Sequence, residues 1–173
     1  VLLPDGSREV APGSGEVGMV AQSGMVPLGY YKDPEKSAKT FKEIDGKRYA
    51  FIGDMATIEA DGTINLLGRG SNCINTGGEK VFPEEVEEAL KLHDAVEDAL
   101  VFGLDDERFG SRVAGVVSLE NKCTAEVEEI LDATRKVLAS YKLPKELLIV
   151  PTVPRAPNGK ADYKSAKALL IRA

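Results

Sequence analysis

Gly68, Arg69 and Gly70 stand together near the middle of the chain, and Gly77 and Gly78 follow closely. Glycine admits backbone conformations that a Cβ forbids, so such a stretch suits a hinge or a close approach of backbone to ligand. Arg69 adds a fixed charge on a planar fork of donors, the geometry that grips phosphate or ribose oxygens. Asp54, placed after Gly53, could accept hydrogen bonds from ligand hydroxyls. Lys160 follows Pro157, Asn158 and Gly159; the Asn-Gly step bends tightly and can present the cation at a loop tip. Each feature also has a plain structural reading: two tight turns with a surface arginine, a strand-end cap, and a solvated loop lysine. Spacing alone leaves both readings open.

Other charged groups offer less. Glu84, Glu85, Glu87 and Glu88 form an acidic run that reads as the solvated face of a helix, and no third ligand is in view to make it a metal site. His93 is the sole histidine, which argues against a histidine-based metal cluster or a Ser-His-Asp triad. Cys73 and Cys123 have no metal spacing and read as reduced thiols of a cytoplasmic protein. The formal net charge is −6, which disfavours nucleic acid as a partner because phosphate backbones select basic faces. No run is long enough for a transmembrane segment and no signal peptide is evident. The 173 residues fit one medium domain or two small ones.

Two kinds of element must position these residues. Before residue 70 the chain alternates short apolar runs with turn signals. Asp45-Gly46 and Asp61-Gly62 predict hairpins, the second flanked by strands over Met55–Glu59 and Thr63–Leu67. Val1–Leu3, Glu16–Ala21 and Arg48–Ile52 also read as strands, and Asp33 with Pro34 predicts a short capped helix to Phe41. About seventy such residues make a poor core by themselves, so they would complete a larger sheet. After residue 70 the pattern changes. Pro83 opens a helix whose Val86, Ala89 and Leu90 share one face. Ala99–Phe102, Val113–Leu119 and Leu147–Val150 predict strands, with a polar loop over Asp105–Ser111. Thr124 is placed as the cap of a long helix with a stripe from Val127 to Tyr141, and Asp162 caps a last helix through Ile171. The expectation is an α+β chain in two parts: residues 1–70, β-rich, and residues 71–173, a small α+β domain around a short central sheet.

Taken in order, these residues resemble the later motifs of the adenylate-forming enzymes, which include acyl-CoA synthetases, adenylation domains and luciferases. Gly15-Glu16-Val17 through Gly29-Tyr30, then Thr40-Phe41, is similar to one family segment. Gly53-Asp54 is similar to the family's T-G-D motif, with Ile52 in place of threonine. Gly68-Arg69 through Gly78, ending in Glu85-Val86-Glu87, resembles the hinge motif. Tyr141-Lys142-Leu143-Pro144 resembles the Y-K-x-P motif, and Pro154-Arg155 through Asn158-Gly159-Lys160 resembles the closing P-R-x-x-x-G-K motif. The stretch from Ile74 to Glu87 most resembles bacterial fatty-acid or sterol side-chain CoA ligases. Ser71 stands where the family hinge usually has Asp or Lys, and Asn75 stands where it usually has Lys.

The resemblance implies a reaction in two steps. A carboxylate attacks the α-phosphate of ATP, and CoA then takes the acyl group from the acyl-AMP after a mobile lid rotates. Residue by residue, it implies Lys160 as the catalytic cation of the first step, and Asp54 and Arg69 as nucleotide-binding. It implies Gly70 and Ser71 as the hinge, and Gly77, Gly78 and Lys80 as contacts of CoA and its pantetheine. ATP, Mg²⁺ and CoA are the implied cofactors, with a carboxylic acid as substrate. The family's phosphate loop and acyl-site motif are absent, which places them upstream of Val1. Residues 1–70 would then end a large N-terminal domain, residues 71–173 would be the C-terminal lid, and the edge left by the missing domain could pair with a second copy. An adenylation domain that loads a carrier protein, an acyl-AMP ligase and a non-catalytic interaction module are the alternatives.

Overall fold

The turn at Asp61-Gly62 forms as its residues require. Glu59 and Thr63 close it, with the Glu59 amide donating to the Thr63 carbonyl at 2.9 Å and the Thr63 amide donating to the Asp61 carboxylate at 2.9 Å. The structure is a computed structural model that describes residues 1–172. Its Cα packing divides it into two units, Val1–Ser71 and Asn72–Ala173.

The first unit is one antiparallel sheet. It comprises β1 (Gly18–Ser23), β2 (Phe41–Ile44), β3 (Lys47–Ile58) and β4 (Ile64–Arg69). The long β3 carries β1 along one edge; along the other it carries β2 at its start and β4 at its end. Helix α1 (Pro34–Thr40) starts as expected, with the Asp33 side chain accepting the Lys36 amide. Two expectations need correction. Val1–Leu3 is not a strand: Leu2 makes isolated bridges to Glu9 and Met19. Gly53-Asp54 does not end a strand but lies inside β3. There the register with β1 jumps from Met19 opposite Met55 to Ala21 opposite Phe51. Such a bulge breaks the apolar alternation and so reads in sequence as an ending.

The second unit holds a hairpin of β5 (Ile74–Thr76) and β6 (Glu79–Val81) and a separate three-stranded sheet. In that sheet β7 (Val96–Asp106) and β8 (Gly110–Leu119) are antiparallel, and β9 (Glu146–Ile149) runs parallel to β8. Among the described residues no sheet spans residue 71. Both faces of the sheet are covered, which is why its strands read as continuous apolar runs. On one face Ala99, Val101, Val113 and Val117 pack with Val86 and Leu90 of α2 (Pro83–Leu90) and Ile130 of α3 (Val127–Thr134). On the other, Leu100, Phe102 and Val116 pack with Ala166 of α4 (Tyr163–Arg172). The polar loop expected over Asp105–Ser111 is mostly strand, with Asp105 opposite Ser111 and Asp106 opposite Gly110.

Helix α3 is shorter than its apolar stripe. It begins at a Glu126–Glu129 capping box rather than at Thr124, and it ends at Thr134 rather than near Tyr141. Thr134 is fully buried, and its hydroxyl donates back to the Ile130 carbonyl at 2.8 Å. The chain then tightens: the Val137 and Leu138 amides both reach the Thr134 carbonyl, and Val137 is left half exposed.

Candidate functional site

In the first unit the pairing of β3 with β4 sets Asp54 directly opposite Arg69. The Arg69 Nε lies 3.1 Å from an Asp54 carboxylate oxygen. Local irregularities hold this pair on both sides. Gly53 (φ 91°) precedes Asp54, and Gly68 (φ 126°) precedes Arg69 at a bulge that leaves Leu67 buried and unmatched in the ladder. Both torsions lie where a side chain is strained. The aspartate is the more sheltered partner, while the arginine side chain is 59% exposed. An acceptor and a forked donor thus stand side by side on a rigid ladder, a set that suits a sugar diol with an anionic neighbour. Gly70 and Ser71 open a short 3-10 turn, Gly70–Asn72. A Cβ on Gly70 would come within 3.3 Å of the Met55 side chain.

In the second unit Gly77 and Gly78 form the two-residue turn between Thr76 and Glu79. Their φ values of 60° and 91° are those of the mirror-image hairpin turn, which requires positive φ at both central positions. The turn alone therefore accounts for both glycines. Gly77 also lies against the β7–β8 turn: its amide donates to the Phe109 carbonyl at 3.0 Å, and a Cβ there would meet the Phe109 ring at 3.2 Å. Gly78 faces open space. Lys80, one residue into β6, is exposed and pairs across the hairpin with Asn75. Its charge reaches Cys73, whose thiol is nevertheless pushed up by burial.

Lys160 sits on a tight hairpin. Its carbonyl accepts the Ala156 amide at 2.8 Å, its own amide donates to the Asn158 side chain at 3.2 Å, and Arg155 bridges Ala161 beneath. Gly159 supplies the positive φ of 78° that closes the turn. The lysine itself is exposed. Arg155 grips Asp98 with two bonds, Nε to one carboxylate oxygen at 2.8 Å and a terminal nitrogen to the other at 2.6 Å. This holds the Asp98 carboxyl below its ordinary range and pushes the guanidinium up.

The acidic run corrects the expectation of a solvated face. Glu87 is turned inward and accepts the Val101 amide at 2.8 Å on the outer edge of β7. Burial, aided by Glu84 and opposed by that amide, Arg155 and Lys91, raises its pKa to about 7. Glu85 accepts two bonds from the Lys142 ammonium, and only Glu88 keeps the exposed role expected of it, with Lys91. The same environment of burial and acidic neighbours pushes the Tyr163 hydroxyl up to about 12. Nothing local in the sequence pointed to Glu87 or Asp98: the first depends on a strand edge, the second on a partner 57 positions away. Among the described residues no cluster of acidic, histidine or cysteine side chains could hold a metal, and no helix is long and apolar enough to cross a membrane.

Residues 85–160 match the family described as the AMP-binding enzyme C-terminal domain. The chain is 52% identical over 166 residues to a 3-oxocholest-4-en-26-oate–CoA ligase of Rhodococcus rhodochrous, spanning 96% of this chain and 30% of that protein. Over residues 85–160 this chain carries the C-terminal domain of the AMP-binding enzymes. A Mycobacterium tuberculosis relative, a medium/long-chain fatty-acid and 3-oxocholest-4-en-26-oate CoA ligase, is likewise 52% identical over 96% of this chain and 30% of its own length. Among solved adenylate-forming structures, Bacillus subtilis o-succinylbenzoate CoA synthetase in complex with its acyl-adenylate intermediate superposes with a TM-score of 0.78. It is 28% identical, over 91% of this chain and 31% of that one. The chain thus spans about a third of the length of the curated relatives it matches.

Proposed function

We propose that this chain is the C-terminal part of an ATP-dependent acyl-CoA ligase, which activates a fatty or sterol side-chain carboxylic acid as acyl-AMP and passes the acyl group to CoA. The observation that carries the reading is the Asp54–Arg69 pair, set on a bulged ladder within a sequence half identical to CoA ligases. In this reading Asp54 accepts the ribose hydroxyls and Arg69 meets ribose or phosphate oxygens. Lys160 lies against the substrate carboxylate and the α-phosphate, where a cation stabilises charge that grows in the transition state. Residues 1–70 end the large domain, residues 71–173 form the lid, and Gly70 and Ser71 are the pivot. In the second step the Gly77-Gly78 turn borders the pantetheine and Lys80 meets a CoA phosphate.

Mg²⁺ enters with ATP, held by groups outside this chain, and the enzyme works in the cytoplasm. Met25, Leu28 and Tyr31 are 99%, 94% and 87% exposed, apolar surface of the kind that an upstream domain would cover. If that domain is absent, a second copy could cover it instead. The test is ATP–pyrophosphate exchange with a panel of fatty and sterol side-chain acids on the full-length enzyme, followed by a thioester assay with CoA. Exchange with thioester formation is the expected result. Exchange without thioester would assign an acyl-AMP ligase or a carrier-protein-loading enzyme. No exchange with any acid would leave an interaction module.

A further inference from the structure

Three tethers hold the hairpin that carries Lys160. Before it, Val153 is buried to 3% exposure. After it, Asp162 caps α4 through the Ser165 amide and hydroxyl at 3.0 and 2.7 Å. Between these, residues 155–160 are mostly exposed, and the side chain that anchors them to the body of the unit is Arg155. Its two parallel bonds to Asp98 fix both the position and the plane of the guanidinium. Asp98 is itself aimed by the fold. It lies where the β7–β8 register shifts between Val96 and Asp98, and one of its oxygens also accepts the Ala99 amide at 2.9 Å. A bulge of this kind re-aims a side chain away from the regular ladder. From Asp98 the constraint runs through Arg155 to the bridge with Ala161 and the Ala156–Lys160 bond.

We propose that Asp98 is a positioning residue for the adenylation step: by clamping Arg155 it fixes the backbone of the hairpin from which Lys160 reaches the reacting groups. The proposal rests on the reading of Lys160 given above. It requires Asp98 to matter in the half-reaction that uses Lys160 and to be dispensable in the other.

Two measurements test it, on Asp98→Ala with Asp98→Asn as the milder variant. Hydrogen exchange on this 173-residue chain reads the clamp without any activity. The Ala156 and Asp162 amides should exchange roughly tenfold faster or more, while the Leu100 and Val116 amides in the sheet keep their protection. In the full-length enzyme, adenylation should fall roughly tenfold to a hundredfold, the scale of a small misplacement of a catalytic group. Thioester formation from supplied acyl-AMP should be unchanged, and in a Lys160→Ala background Asp98→Ala should add no further loss. Unchanged exchange at Ala156 and Asp162 would overturn the clamp, and equal loss in both half-reactions would show a merely structural residue. Looser hairpin amides with full adenylation activity in Lys160→Ala would leave the clamp standing but overturn its catalytic purpose, a failure of the Lys160 reading rather than of the geometry.

Discussion

The ammonium of Lys142 lies 2.6 and 2.8 Å from the two carboxylate oxygens of Glu85, joining the turn after α3 to the first turn of α2. Both side chains are largely sheltered, 19% and 25% exposed, so losing one partner strands a charge that water solvates poorly. Lys142→Ala is expected to lower the stability of the second unit by about 1–3 kcal/mol, the range for hydrogen bonds between charged groups. Protection of the Leu100 amide against exchange would report it. A double-mutant cycle with Glu85→Gln should give a coupling of the same sign; strict additivity would refute the pair as a stabilising contact.

Glu87 makes the stability of the chain depend on pH. Its folded pKa of about 7 lies above the ordinary glutamate value of 4.5, so the folded state keeps a proton that the unfolded chain has already released. The sign follows directly: this contribution is full below about pH 4.5 and is lost as pH rises to about 7. The loss is at most about 3 kcal/mol, at roughly 1.4 kcal/mol per pH unit. The shifted aspartates Asp5, Asp61, Asp98, Asp106 and Asp162 move the other way and act below this window. Urea unfolding at pH 5 and pH 7.5 should show the decline. Glu87→Gln keeps an acceptor for the Val101 amide and should flatten it; a variant with the original slope would assign the effect elsewhere.

At the Asp54–Arg69 pair the expected consequence is discrimination by the sugar. In the full-length enzyme, Asp54→Ala should raise KM for ATP by roughly tenfold to a hundredfold, the scale of losing hydrogen bonds to a charged group. It should also remove the preference for ATP over its 2′,3′-dideoxy analogue. If the variant still prefers the ribose, Asp54 serves only the ladder.

For Lys160, the Ala variant of the full-length enzyme should lose orders of magnitude in pyrophosphate exchange while converting supplied acyl-AMP to thioester normally. Parallel loss in both assays would make the lysine a structural element of the hairpin.

Gly78→Ala separates the turn from the ligand. Space beside Gly78 is open, so the cost is the positive φ alone, about 1–2 kcal/mol. If pantetheine passes this turn, thioester formation should fall while pyrophosphate exchange holds. A change in stability with both half-reactions intact would leave the glycines to the hairpin alone.

Local chemistry explains what could be read in advance. Asp33 and Asp162 cap the helices they precede, Pro83 opens α2, and Asp61-Gly62 makes its hairpin, because each signal acts within four residues of itself. The ends of elements were harder. The stripe to Tyr141 suggests a long helix, yet α3 ends at Thr134, where the Val137 and Leu138 amides both turn onto the Thr134 carbonyl. Gly53-Asp54 looked like a strand end because a bulge and an ending interrupt alternation in the same way. The burial of Glu87 and the clamp on Arg155 were invisible for another reason. Both depend on the outer edge of β7, where the Val101 and Ala99 amides take the carboxylates of Glu87 and Asp98, and no spacing within one helix or one loop encodes that edge.

The parallel seating of β9 against β8 sets an order of events in folding. The β7–β8 hairpin is local and can zip early, but a parallel neighbour must await the whole excursion through α3, and contacts over such separations form slowly. Glu85 and Asp98 each depend on a base 57 residues further along, Lys142 and Arg155. During synthesis, therefore, both carboxylates stand without these counterions until Lys142 and Arg155 have emerged.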